Sequence, residues 1–190
     1  VGHLQRLLAG IAAEPDRLVG ELSMMTQAET HQVLEAWNDT DREIAASTVP
    51  ELFQEQVEGD AAASALLFED TTLSYAELDV RANRLAQYLI DREIGPEQFV
   101  AVALPRSVDM VVALLAVLKS GAAYLPVDPM YPAERIAFML DDARPAMVLT
   151  TTEVAASLPD TAPQLLLDEP KAIEAIGQHV DTAPAIAVRT

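Results

Sequence analysis

The sequence contains no cysteine among its 190 residues. A disulfide framework, a thiolate zinc site and a cysteine nucleophile are therefore excluded, and nothing requires an oxidising compartment. Basic residues are also few, since 12 Lys and Arg stand against 30 Asp and Glu and give a net charge of -18 at pH 7. Because this charge repels phosphate backbones and the basic residues are scattered, we expect no nucleic-acid partner.

Long apolar segments are missing as well. The longest apolar run lies between Asp109 and Lys119, far below the roughly 20 residues of a membrane-spanning helix. The N-terminus has no basic region followed by a secretory apolar core. We therefore expect a cytoplasmic protein with no membrane partner. The chain starts at Val1 in a helical pattern without an initiator methionine, which indicates that it was cut from a longer protein.

The first 48 residues predict a helical arm followed by a linker. Apolar residues recur at helical spacing before Pro15, at Leu4, Leu7, Leu8 and Ile11. Thr26 and Glu29 form a capping-box pattern, which predicts a second helix that continues to Trp37. Residues 38–47 are polar or small without periodicity and predict an extended linker.

The rest of the chain predicts an α/β domain. A helix starting near Pro50, a small hairpin and a helix capped by Ser74 come first. Apolar segments at 99–104, 122–127, 146–150 and 165–167 then alternate with helices at 108–119 and around 136–140. This alternation predicts right-handed crossovers and a doubly wound, mainly parallel sheet. The predicted fold class is α/β, with an N-terminal helical arm and a linker.

Residues 118–129 combine a helix end, a buried strand and a rigid exit turn. Gly121 permits the positive φ that ends a helix, and Pro126 and Pro129 stiffen the exit. Together with Leu-Ser-Tyr-Ala-Glu-Leu at 73–78 and Leu-Glu-Ala-Trp-Asn-Asp-Thr at 34–40, this segment closely resembles the adenylation domains of nonribosomal peptide synthetases. Ser120 stands where that family often has alanine.

The resemblance implies a fragment of a synthetase module in secondary metabolite biosynthesis. Residues 1–25 would be the C-terminal tail of a condensation domain, 26–48 the interdomain linker, and 49–190 the N-terminal portion of an adenylation domain. The complete domain would be an ATP-dependent ligase that activates an amino acid as its adenylate and loads it on a carrier-protein thiol. Its partners would be the rest of the module, a carrier protein bearing phosphopantetheine, and a small helper protein.

The residues that perform this chemistry in the family have no match between Val1 and Thr190. These are the Ser/Thr/Gly-rich phosphate loop, the acidic anchor for the substrate amine and the catalytic lysine. We therefore assign no catalytic, cofactor-binding or metal residue, and we expect ATP and Mg to bind only to the complete adenylation domain. The sequence Lys119-Ser120-Gly121 is not a phosphate loop, because it ends a helix, where the dipole disfavours anions.

Other polar residues are better explained by structure than by catalysis. His3, His31 and His179 are far apart in sequence and have no partner at metal-ligand spacing, which predicts exposed helix or loop positions. Asp141 and Asp142 resemble a pair of acid–base carboxylates, but adjacent helical residues do not converge on one point. We expect a solvated helix end.

A non-enzymatic, flavodoxin-like interaction domain or a decayed remnant is the alternative. Such a domain would have the same acidic composition as this chain and would also lack site residues. The codons that follow Thr190 distinguish the two, since a Ser/Thr/Gly-rich loop ending in lysine favours the synthetase and a stop codon favours the alternative. The amino acid activated, the peptide product and the oligomeric state stay open.

Overall fold

A computed structural model describes residues 2–43 and 47–185. The chain divides into two compact units, Val1–Ala45 and Ala46–Thr190. Residues 44–46 of the predicted linker and residues 186–190 of the predicted adenylation portion lie outside the described residues. Within the described part, no helix is both long enough and apolar enough to cross a membrane.

The first unit is helical. Helix α1 spans Gly2–Ala13, a 3-10 turn spans Val19–Glu21, and helix α2 spans Gln27–His31 and continues as a π-helical turn over Gln32–Ala36. The predicted capping box is present, since the Glu29 amide donates to Thr26 Oγ1 and the Thr26 amide donates to Glu29 Oε2. Residues 38–43 contain no helix or strand.

The second unit begins with a helix, a hairpin and a second helix. Helix α3 spans Val49–Gly59, strands β1 (Ser64–Phe68) and β2 (Thr71–Ser74) pair in antiparallel fashion, and helix α4 spans Tyr75–Ile90. The Ser74 capping box that the sequence predicts is confirmed. Thr48 and Glu51 form another one at the start of α3, which the sequence analysis did not identify.

A parallel sheet of four strands follows. Its strands are β3 (Phe99–Val102), β4 (Ala123–Pro126), β5 (Met147–Thr150) and β6 (Gln164–Leu166). The helices between and after them are α5 (Val108–Lys119), α6 (Ala133–Ala143), α7 (Thr152–Ala155) and α8 (Pro170–Gly177). The strand order is β4-β3-β5-β6 and all pairs are parallel, which confirms the predicted fold class.

The sheet has a separate apolar core on each face, as a doubly wound sheet requires. Val100 and Val102 point to one face, where α4, α5 and α8 pack, while Ala101 and Ala103 point to the other, where α6 packs. All of α5 is buried or half-buried except Asp109, so the prediction of a buried helix is confirmed. Gly121 ends that helix with φ 82°, also as predicted.

Candidate functional site

The carboxyl edge of the sheet contains a topological switch point. Strands β3 and β5 are neighbours, but the connection after β3 leads to β4 on one side of the pair and the connection after β5 leads to β6 on the other. The two connecting loops therefore diverge and leave a crevice between them. In open α/β sheets, ligands bind in such crevices at the carboxyl ends of the strands. This edge is the position in the fold where a binding site is most expected.

A cavity of about 610 Å³ opens at this point. Most of its lining is apolar and comes from the ends of β3 and β4 and the start of α5, including Val102, Leu104, Met110, Leu114, Val127 and Met130. Three charged residues also line it: Arg106, Asp128 and Glu153. All three are exposed, so the cavity is an apolar groove with charges at its rim.

The loop after β3 is held by a short turn. Ser107 caps α5, since its Oγ accepts a hydrogen bond of 3.1 Å from the Met110 amide and donates one of 3.1 Å to the Pro105 carbonyl. This arrangement satisfies an amide of the first helical turn and fixes the path of residues 105–107. Arg106 is therefore presented at the cavity from a fixed backbone, as the only cation among the described lining residues.

The loop after β4 is fixed by Asp128. Its Oδ1 accepts a hydrogen bond of 2.9 Å from the Met130 amide, and its carbonyl accepts one of 3.0 Å from the Tyr131 amide. These bonds form an Asx turn, which is a common structural role of aspartate between a strand and a helix. The Asp128 carboxylate therefore holds the turn that precedes α6, and Pro129 makes the same turn rigid.

The loops after β5 and β6 are joined by Asp168. Its Oδ1 accepts a hydrogen bond of 2.8 Å from the Thr152 amide and one of 3.1 Å from the Thr152 hydroxyl. These donors, the amide first, hold the pKa of the Asp168 carboxyl below its ordinary value. Asp168 thus stays ionised and fixes the start of α7, which carries Glu153 to the cavity.

The cavity has the character of a binding surface. Arg106 offers a cation to an anionic group, and the apolar floor offers contact area. Across the described ranges, no cluster of three or more His, Asp or Glu side chains could hold a metal ion. This cavity was not predicted from the sequence. The sequence does contain a signal for it, since segments with polar residues and proline follow β3 at 105–107 and β4 at 128–129.

Lys119 is buried and its ammonium group already has partners within the protein. Its side chain is 3% exposed, and Nζ donates to Asp79 Oδ1 and to Asn83 Oδ1, each at 2.7 Å. Phe53 lies below it, with 5.4 Å between Nζ and the ring centroid. The prediction that the segment 119–121 ends a helix is confirmed, and the ammonium group binds side chains of α4. This buried ion pair was not predicted from the sequence.

The remaining candidates take structural positions. His3 lies 3.5 Å from Glu29, and His31 lies 2.7 Å from Glu35, both on exposed surfaces. The third histidine, His179, was expected to be exposed, but its side chain is only 19% exposed. The structure corrects that expectation, because His179 packs edge-on against Tyr88, with 5.6 Å between the ring centroids.

Asp141 and Asp142 are exposed near the end of α6, which agrees with the predicted solvated helix end. Arg144, two residues after Asp142, ends the helix in the left-handed conformation with φ 44°. The two carboxylates are adjacent on the helix, so their side chains point in different directions.

A comparison with protein families matches residues 53–187 to the AMP-binding enzyme family. The chain belongs to this family. The match covers the whole parallel sheet and the cavity at its carboxyl edge.

Curated relatives of this chain are peptide synthetases. It is 45% identical over 185 residues to the dimodular nonribosomal peptide synthase of Bacillus subtilis (strain 168). This alignment covers 96% of the present chain and 8% of the relative. It is 40% identical over 169 residues to tyrocidine synthase 2 of Brevibacillus parabrevis. That alignment covers 88% of the present chain and 5% of the relative. The chain thus spans less than a tenth of the length of either relative.

Solved structures give the same fold. The nonribosomal peptide synthetase FmoA3 in its AMPPNP-bound form aligns with a TM-score of 0.75 and 26% identity, covering 95% of this chain and 20% of that one. The four-domain synthetase AB3403, solved with AMP and glycine, aligns with a TM-score of 0.74 and 28% identity, covering 96% of this chain and 13% of that one.

Proposed function

We propose that the chain is a fragment of a nonribosomal peptide synthetase module. Residues 49–190 are the N-terminal portion of its adenylation domain, residues 26–48 are the interdomain linker, and residues 1–25 are the C-terminal tail of the preceding condensation domain. The fragment itself serves as scaffold and contributes no catalytic side chain.

The extent of the synthetase alignments supports this assignment. The family match starts at residue 53, whereas the alignments with the dimodular synthase and with AB3403 each cover 96% of the chain. Most of the segment that precedes the AMP-binding match is therefore shared with synthetases. The division of the fold at residues 45 and 46 is consistent with a domain boundary near the proposed linker.

The complete adenylation domain would activate an amino acid with ATP and Mg. The amino-acid carboxylate attacks the α-phosphorus of ATP, the aminoacyl adenylate forms, and pyrophosphate leaves. The acyl group then passes to the phosphopantetheine thiol of a carrier protein, with release of AMP. In support, FmoA3 is solved with AMPPNP bound, AB3403 with AMP and glycine, and NpsA of Klebsiella oxytoca as an adenylation and carrier-protein fusion.

The partners would be the other parts of the same module. These are the condensation domain, the remainder of the adenylation domain, the carrier protein and a small helper protein. The exposed apolar stripe of α1 supports a neighbour at the N-terminal end, since Leu4, Leu8 and Ile11 are 62%, 58% and 48% exposed. The membership in an AMP-binding enzyme family argues against the flavodoxin-like interaction domain.

Amino-acid-dependent exchange of labelled pyrophosphate into ATP tests the proposal. A longer chain that extends from these residues to the end of the adenylation domain should catalyse this exchange with one or a few amino acids. Omission of the amino acid is the control and should abolish the exchange. Absence of exchange with every proteinogenic amino acid, in the presence of the helper protein, would contradict the proposed activity for this class of substrates.

A further inference from the structure

Residues 179–184, named here the strap, run along one stripe of helix α4. Four residues of α4 and its C-terminal end contact it: Asn83, Arg84, Gln87 and Asp91. Gln87 Nε2 donates to the Thr182 carbonyl at 3.3 Å, and the Arg84 guanidinium lies 3.5 Å from the Asp181 carboxylate. His179 Nε2 lies 3.0 Å from Asp91 Oδ2. Because Asn83, Gln87 and Asp91 follow one another at intervals of four residues, and Arg84 is three residues before Gln87, they form one continuous face.

A buried polar node anchors the middle of the strap. Asn83 is 1% exposed, and its Nδ2 donates to the Asp181 carbonyl at 2.7 Å and to Asp79 Oδ2 at 3.0 Å. Its Oδ1 accepts from Lys119 Nζ at 2.7 Å. Among the side-chain hydrogen bonds to the strap within the described residues, this is the one whose donor residue is buried. The other side chains that bind it are more exposed, so water competes with them.

Lys119 determines which way the Asn83 amide faces. An ammonium group can only donate, so the Asn83 oxygen must point to Lys119. The amide nitrogen then has its two protons directed at Asp79 and at the strap carbonyl of Asp181. With Lys119 in place, every hydrogen-bonding atom of the Asn83 amide has a partner. Lys119 therefore acts on the strap through Asn83, without contacting the Asp181 carbonyl itself.

The strap also lines a cavity of about 170 Å³ beside α3. Its lining includes Thr48, Gln54 and Lys119, together with Ala183 and Pro184 of the strap.

We propose that the strap is a releasable segment held by the Lys119–Asp79–Asn83 node. Its attachment depends on one neutral amide whose orientation is set by a buried cation. The sheet does not need this amide, because its strands and both apolar cores are formed by other residues. Loss of the amide donor therefore frees the strap and leaves the sheet folded. This proposal is independent of the synthetase assignment.

Backbone ¹⁵N order parameters measured on the whole chain test the proposal. The probes are the amides of Val180 to Ala183, with those of β3 and β5 as internal references. In the unmodified chain the strap should have order parameters near 0.85, as in rigid backbone. Asn83→Asp has the same shape and still accepts from Lys119, but it cannot donate to the Asp181 carbonyl. The strap values should fall below about 0.6, while those of the strands do not change.

Asn38→Asp is the matched control, since it changes the other asparagine of the chain and adds the same charge. It should leave the strap values unchanged. If Asn83→Asp does not fold, Asn83→Ser is used instead, because it shortens the donor without adding charge. Strap values below 0.6 in the unmodified chain, or unchanged values in the folded Asn83 variant, would overturn the proposal.

Discussion

Lys119 Nζ lies 2.7 Å from Asp79 Oδ1, and the two side chains are only 3% and 13% exposed. The residues are 40 positions apart, on α5 and α4. Burial of this pair is compensated by Asn83, which bonds to both partners. The net contribution of such a pair is small, but removal of one partner leaves a buried charge without compensation.

Lys119→Met should therefore destabilise the second unit. The expected loss is about 3 to 5 kcal/mol, because the Asp79 carboxylate would remain buried without its cation. Urea unfolding measures this loss. Lys171→Met is the control, since Lys171 is the other lysine of the chain and is exposed. A loss below about 1 kcal/mol for Lys119→Met would mean that the pair contributes no more than an exposed one.

Gly121→Val should also destabilise the chain. Gly121 has φ 82°, and a side chain in the left-handed region meets a steric penalty of about 1 to 2 kcal/mol, which is larger for a β-branched residue. Gly20→Val is the control, because nothing lies within 4 Å of a Cβ at that position. Equal urea midpoints for the two variants would show that the end of α5 does not depend on glycine.

The capping box of α4 should make stability depend on pH. The Ser74 amide, and then its hydroxyl, lower the pKa of the Glu77 carboxyl. A lowered pKa in the folded state stabilises the fold above the ordinary pKa of glutamate, and this stabilisation is lost as the pH falls through the lowered value. Glu77→Gln should therefore reduce stability at neutral pH and have little effect in acid.

Urea unfolding of the two proteins at about pH 7 and about pH 3 measures this difference. If the difference in free energy of unfolding between the unmodified chain and Glu77→Gln were the same at both pH values, the Glu77 charge would have no role in stability. Ser74→Ala should cost about 1 kcal/mol, the usual effect of losing an N-cap side chain.

Helix α1 should exchange its amide protons faster than the sheet. It buries none of its residues, so its stability rests on local hydrogen bonds, and isolated helices of about 12 residues are marginal in water. Hydrogen–deuterium exchange with mass spectrometry compares α1 with β3 and β5. Equal protection of α1 in a monomeric sample would place the arm within this domain and move the proposed boundary at residue 25.

The sequence predicts the sheet well because apolar periodicity and glycine mark its elements directly. The limits of α5 and the stop at Gly121 agree with the structure. The end of α4 at Ile90 is not marked in this way. The loop that follows it contains two left-handed residues, Glu93 with φ 61° and Glu97 with φ 63°. A glutamate in this conformation has no signature in the sequence, and the same holds for Arg144 after α6.

The site was less predictable than the fold, because its parts are distant in sequence. The Lys119–Asp79 pair forms only when α4 and α5 pack together. The carboxyl-edge cavity likewise needs the strand order before Arg106, Asp128 and Glu153 can be placed around one opening. Periodicity specifies elements, and it does not specify which elements become neighbours.

ATP binding by two chains of different length tests the central claim most directly. The account predicts that isothermal titration calorimetry detects no micromolar ATP binding by the 190-residue chain, because no phosphate-cradling loop is assigned within it and its net charge is -18. A longer chain that extends to the end of the adenylation domain should bind ATP under the same conditions. Micromolar binding by the 190-residue chain, or none by the longer one, would contradict the account.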